Sequence, residues 1–402
     1  MQGTPSITTT APTRVLSIDV LRGITIAFMI LVNDPGDWGH TYAQLDHAKW
    51  NGCTLTDLVF PTFLFLVGAS IILSLRSRLA RGDSHRVIAL HILRRSAILF
   101  AIDLFLAAFP HFHLTHLRIY GVITRIALCY LCAGLICLTT QRARTLLAIC
   151  AALLVGYWAL MRLVPVPGFG IPTHDIPLLD PDRNLTAWLD RTVMAFLQRT
   201  IHTGRLYEHT RDPEGLLSTL PAIATTLLGS VAALWLRRTS AKAHALTQSQ
   251  CAAGLFLWGL LSLAAGAVWN HWFPINKNLW TSSYVLFVAG CALIGLAACY
   301  WLIDIRRFHE TRPGRWLTWP WLVFGSNAIV AYIVSELLVE IMIWIKVPDG
   351  EKTVTAWLWV YHHLFAHNQS TNVTSVAFAL AFVVVCFLPN WLLWRKRIFV
   401  KI

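Results

Sequence analysis

About ten stretches of roughly 20 residues, each almost unbroken in apolar side chains, constrain this chain more than any other feature. They fall near residues 15–34, 55–75, 88–109, 119–139, 145–163, 215–236, 252–270, 281–302, 319–343 and 376–394. A helix rising 1.5 Å per residue needs about 20 residues to cross a ~30 Å hydrocarbon core, so each stretch is long enough to span a bilayer. The expectation is an all-α polytopic membrane protein with about ten transmembrane helices. Composition agrees: 13% of the residues are charged, against roughly 25% in soluble domains. Eighteen Trp suit belts at the two membrane interfaces. Residues 1–13 carry no Lys, Arg or apolar core, which excludes a signal peptide. They read as a disordered tail before a single transmembrane domain over 14–402.

A net charge of +13 raises the question of nucleic acid, and the placement of the charges argues against it. Alternate loops collect the basic residues: Arg76, Arg78, Arg81 and Arg86; Arg142 and Arg144; Arg306, Arg307, Arg312 and Arg315; Arg395, Lys396 and Arg397. The positive-inside rule makes those loops and both termini cytoplasmic. The opposite side then holds the long loops 35–54, 165–214 and 346–375. Two of them contain candidate interfacial or amphipathic helices, at 185–199 and 357–365. Most of the 16 histidines also lie on that side, where a group titrating near neutrality is available for chemistry. The nine cysteines show no second CxxC to pair with Cys129 and Cys132, which lie inside an apolar span, so neither a disulfide framework nor a zinc site is expected. The His111, His113, His116 run fits no zinc spacing either and reads as a solvated loop. No metal is expected.

Ionisable groups inside spans cost several kcal/mol and need a partner or a cavity. Asp103 and Arg125 lie at matching depth on sequential antiparallel spans, which predicts an ion pair. Asp19 and Arg22 are spaced to pair along one helix face. Glu336 and Glu340, with Asn327 deeper in the same span, lack a basic neighbour and read as a cavity lining.

The densest polar chemistry joins the ends of spans 1 and 2: Asn33, Asp34, Asp37, then Asp46-His47-Ala48-Lys49-Trp50-Asn51-Gly52, then Asp57. A neutral His beside a carboxylate is suited to take a proton from an amine or hydroxyl, with Asp57 or Asp46 orienting the ring. The words Asp19-Val20-Leu21-Arg22-Gly23, His47-Ala48-Lys49-Trp50-Asn51-Gly52, Asp57-Leu58-Val59-Phe60-Pro61, Arg118-Ile119-Tyr120-Gly121-Val122, Asp212-Pro213-Glu214-Gly215, Pro274-Ile275-Asn276-Lys277-Asn278 and Gly325-Ser326-Asn327-Ala328 occur in this order. In that order they resemble the heparan-α-glucosaminide N-acetyltransferase family over nearly the whole chain.

The resemblance implies a transmembrane acetyltransferase that moves the acetyl group of cytosolic acetyl-CoA to the amine of a glucosamine-type sugar beyond the membrane. It assigns the catalytic histidine to His47 and a further site residue to Asn33. Asp57 completes the expected catalytic set, with Asn33 as donor to the oxyanion. The expected donor-binding residues are Lys277, Asn276, Asn278, Arg22 and Arg76, and those for the sugar are Asp34, Trp50, Asp212, Glu214 and Glu336. Members of bacterial inner membranes, tied to N-acetylglucosamine use, are the nearest in kind. The resemblance departs from the animal lysosomal members in the expected lack of their long N-terminal luminal domain. A free amino sugar or cell-wall fragment is therefore the expected acceptor, and family members suggest a homodimer. Two versions of the chemistry stay open, direct transfer and a transient acetyl-histidine. The alternative class is an inner-membrane amino-sugar (N-acetylglucosamine) transporter using the Glu336/Glu340 face.

Overall fold

The structure is a computed structural model that describes residues 15–240, 245–367 and 369–400; the expected tail over 1–13 lies outside the described residues. In chain order the helices are α1 (Leu16–Asn33), α2 (Val59–Ala80), α3 (His85–Ala108), α4 (Val122–Thr139), α5 (Ala143–Leu163), α6 (Leu185–Ile201) and α7 (Thr219–Leu236). They continue as α8 (Gln248–Trp269), α9 (Ser282–Cys299), α10 (Arg312–Ser326), α11 (Ala328–Trp344), α12 (Ala356–Tyr361) and α13 (Asn372–Arg395). A short antiparallel hairpin, β1 (Lys346–Asp349) with β2 (Lys352–Thr355), precedes α12. Helix starts follow local chemistry. Ser84 and Asn184 accept hydrogen bonds from Val87 N and Ala187 N, and capping boxes at Thr247/Gln250 and Thr371/Thr374 open α8 and α13.

Eight helices are long and apolar enough to cross a membrane, and the pair α10–α11 makes a ninth if taken as one span. The 24-residue α3 is long enough as well, but Arg86, Arg94, Arg95 and Asp103 lower its apolarity. The core is central: 72% of the apolar window in α7 is buried, against 28% in α5, α8 and α13. Phe256, Leu257, Trp258 and Leu261 on α8 face outward, as lipid-facing side chains do. The α2–α7 contact depends on two glycines. A Cβ on Gly68 would stand 1.7 Å from Thr226 O, and one on Gly229 1.8 Å from Phe65 O. Small residues of this kind let membrane helices approach backbone to backbone.

Two expectations are corrected. The single span expected over 319–343 is broken at Asn327, where α10 and α11 meet at 79°. The cause is local. Asn327 leaves helical geometry at φ −134°, ψ 45°, and its amide donates to Ile398 O (3.0 Å) and accepts from Val400 N (2.8 Å). Asn327 therefore ties down the end of the chain rather than lining a cavity with Glu336. The expected Asp103–Arg125 ion pair does not form either. Asp103 accepts from Thr124 N (3.0 Å), while Arg125 turns to Gly215 O (2.9 Å) and Ser218 Oγ (2.5 Å). The Arg22–Asp19 pair does form, at 3.1 Å.

Candidate active site

The loop between α1 and α2 is held from two sides. Gly36 N and Asp37 N donate to Ser375 O and Ser375 Oγ, and Trp357 Nε1 donates to Gly36 O, which fixes its first half to α12 and α13. Gly52 N donates to Ile275 O (2.8 Å), and Asn276 Nδ2 to Asn51 Oδ1 (3.2 Å). The second half is thereby tied to the 270–281 loop. Trp50 donates its indole N–H to Leu179 O (2.8 Å) and lies under the Arg211 guanidinium at 4.8 Å. It anchors the loop to the 165–214 segment.

These restraints bring three of the expected residues together. Asp57, with a side chain 0% exposed, sits in the turn that opens α2 and receives Ala48 N (3.1 Å), Thr54 N (3.0 Å) and Thr54 Oγ1 (3.0 Å) on Oδ2. Its Oδ1 faces His47 Nδ1 at 2.8 Å. Because three donors already fix the carboxylate, it fixes the ring in turn: Nδ1–H donates to Asp57, and Nε2 keeps its lone pair. The His47 side chain is 47% exposed. Lys277 Nζ lies 2.9 Å from Nδ1 and 3.1 Å from Nε2 of the same ring, and 3.8 Å from Asp57 Oδ1. Burial pushes the Lys277 ammonium below its usual range, with Asp57 and Glu214 pulling the other way. The Cys53 thiol nearby is pushed up to about 12 by burial and then by Asp57.

A second polar layer lies beside this centre. Arg118 pairs with Asp212 (2.7 Å) and Glu214 (2.6 Å), and its guanidinium stacks on Tyr207 at 4.5 Å. Burial acting alone would raise Glu214; Arg118, then Arg125 and Lys277, hold its carboxyl below the usual range instead. Glu214 thus stands between Arg118 and Lys277. Arg125 is 1% exposed, and its Nε and Nη1 have no hydrogen-bond partner.

The remaining expected residues are placed as follows. Asn33 ends α1, and among the described residues its amide makes no hydrogen bond to His47, Asp57 or Lys277. Asp34 is buried, which raises its carboxyl well above the usual range, and Glu336 adds to the rise. Asn276 is buried and caps the following turn by accepting from Leu279 N (2.9 Å); Asn278 is half-buried. Arg22 donates to Ser70 Oγ and Gly325 O, and Arg76 to Gln141 Oε1. Arg76 lies nineteen residues beyond Asp57 on its helix, about 28 Å at 1.5 Å per residue, so it serves only a donor that reaches across the bundle. Among the described residues no group of three or more His, Cys, Asp or Glu side chains is gathered for a metal ion.

Sequence reasoning missed the roles of Arg118 and Asp190. Asp190, on α6, accepts from Leu216 N (3.0 Å) and leaves Oδ2 buried without a partner. Burial raises its carboxyl to about 7. The one available signal was an acid on the apolar side of an interfacial helix. The arrangement as a whole offers an oriented base, a cation touching the same ring, and a buried acid–base network behind them.

Comparison with known proteins places this geometry in context. A family model described as "Heparan-alpha-glucosaminide N-acetyltransferase, catalytic" matches residues 14–265. The human protein named heparan-alpha-glucosaminide N-acetyltransferase is 29% identical over 432 residues, covering 97% of this chain and 60% of the human one. The mouse protein of the same name is 27% identical over 438 residues, covering 99% and 62%. The chain thus spans about three-fifths of the length of these curated relatives.

Proposed function

Because the chain belongs to the heparan-alpha-glucosaminide N-acetyltransferase family, we propose that it transfers the acetyl group of acetyl-CoA to the amine of a glucosamine-type sugar at the His47 centre. The observation that carries this reading is the His47–Asp57–Lys277 cluster, an imidazole held by a buried carboxylate with a lysine amine on the same ring.

The amine attacks the thioester carbonyl as His47 Nε2 takes its proton, forming the C–N bond. The carbonyl oxygen gains negative charge, and Lys277 is the donor proposed to meet it. One preorganised donor of this kind is worth about 3–4 kcal/mol of barrier. Collapse breaks the C–S bond, and His47 returns the proton to the departing sulfur, giving CoA thiol and the N-acetyl sugar. Asp57 keeps the ring oriented through both proton transfers and stabilises its protonated form. Asn33 is the proposed second donor to the same oxygen. In this reading Trp50 shapes the loop, and Arg118 with Asp212 and Glu214 forms the wall behind the sugar. The His47 end of the bundle faces away from the cytoplasm, in a bacterial inner membrane, and acetyl-CoA arrives from the basic side.

The test is turnover. Purified protein given acetyl-CoA and glucosamine releases free CoA thiol and yields N-acetylglucosamine by mass spectrometry. Acetyl-CoA also raises the melting temperature as RT ln(1 + [L]/Kd) requires of a bound ligand. Unmodified sugar, with no stabilisation by acetyl-CoA, would replace this reading with that of a sugar carrier.

A further inference from the structure

Around Arg118 the protein forms a half-open cavity of about 280 Å³, lined among others by Asp103, Arg118, Tyr120, Tyr332, Glu336 and Glu340. Tyr332, Glu336 and Glu340 follow one another at four-residue intervals on α11 and so present one face. Asp103 faces them from α3. Arg205 and Tyr207 also line this cavity and are shared with a neighbouring one of about 420 Å³, which α6 lines with Arg191 and Gln198. The inner cavity therefore adjoins a wider vestibule on one side. On the other it meets Arg118, whose partner Glu214 is within electrostatic reach of Lys277.

The charges in this cavity do not cancel. Among the described residues no Lys, Arg or His comes within ion-pair distance of Asp103, Glu336 or Glu340. Arg118 is already committed to Asp212 and Glu214. Carboxylates at this depth cost several kcal/mol without a partner, in a chain whose overall charge is +13. The Tyr120 hydroxyl supplies an independent sign of a ligand: the residue is 7% exposed, and among the described residues the hydroxyl has no hydrogen-bond partner. A volume just below the range of ordinary small-molecule pockets suits one sugar ring rather than a chain of them. The exposed Tyr207 ring offers an apolar face at the entrance.

We propose that this cavity captures the acceptor as a cationic amino monosaccharide, its ammonium among Asp103, Glu336 and Glu340 and a hydroxyl on Tyr120. This rests on the acetyl-transfer reading for the sugar's fate, and the cavity itself performs no covalent step. It also accounts for release. The ammonium leaves one proton on a cavity carboxylate to become the attacking amine, and the neutral amide formed at His47 is no longer attracted by the three carboxylates.

Equilibrium binding to the full chain in detergent tests the proposal, with glucosamine as the cationic probe and N-acetylglucosamine and glucose as neutral ones. Glucosamine is expected to bind at least tenfold more tightly than either. The double variant Glu336→Gln/Glu340→Gln should lose at least tenfold in glucosamine affinity and raise KM with kcat largely kept. Tyr120→Phe should lose a smaller factor. Stabilisation by acetyl-CoA in each variant confirms its fold. Equal binding of charged and neutral sugars by the unaltered protein would overturn the proposal. So would an unchanged Kd and KM in the double variant with CoA release intact, and the acetyl-transfer reading would then survive. Charge-selective binding without any CoA release would instead keep the capture site and remove the transferase reading.

Discussion

At the residue scale, Asp57 decides what His47 is able to do. Its Oδ2 is saturated by Ala48 N, Thr54 N and Thr54 Oγ1, so only Oδ1 is left for the imidazole. Asp57→Asn keeps an oxygen for those three donors but turns an N–H toward Nδ1, which moves the ring's lone pair away from the substrate side. The account predicts a fall in kcat of about 10²–10⁴, the range of general acid–base catalysis, with stabilisation by acetyl-CoA unchanged; equal turnover would remove Asp57 from the mechanism. Lys277 gives a pH prediction of definite sign. Burial lowers its ammonium below the usual lysine range, so the proton leaves at lower pH and activity should fall on an alkaline limb below pH 10.5. Arg stays charged throughout, so Lys277→Arg should move that limb upward at reduced rate. An identical limb in the variant would assign it to another group. His47, Asp57 and Lys277 were each legible in the sequence, because they sit in polar words at the ends of apolar spans. Their grouping was only half legible. Nothing in spacing places Lys277, 230 positions away, on the His47 ring, and nothing local shows that Arg125 prefers a carbonyl near α7 to Asp103.

At the element scale, spans were readable where apolar length alone decides, as in α1, α2 and α7. The break in the ninth was not. The apolar run over 319–343 continues through Asn327, and the side chain's partners lie 71 and 73 residues later, at Ile398 and Val400. A window along the sequence does not see bonds of that range. Asn327→Ala removes both bonds, which at about 1 kcal/mol each should cost roughly 2 kcal/mol and free the final residues from α10–α11. Limited proteolysis checks this: the variant is expected to lose its C-terminal residues well before the unaltered protein. Equal protection would mean that the 79° bend, rather than the amide, holds the tail. The helix expected over 185–199 forms as α6 (Leu185–Ile201), yet the burial of its Asp190 was not legible, because the partner Leu216 N comes from the next segment.

At the scale of the whole molecule, the bundle sets the His47–Asp57–Lys277 cluster at one end and basic loops at the other. Its buried middle, α1, α2 and α7, is packed through glycines that leave no room for side chains. Such a body suits a reaction whose two substrates arrive from opposite sides, and this is where the account is most exposed. Sealed proteoliposomes with acetyl-CoA outside and glucosamine inside, followed for internal N-acetylglucosamine, give the most direct measurement. The account predicts product with the unaltered protein and none above background with His47→Ala, whose stabilisation by acetyl-CoA should remain. Undiminished product from the His47→Ala vesicles would contradict it.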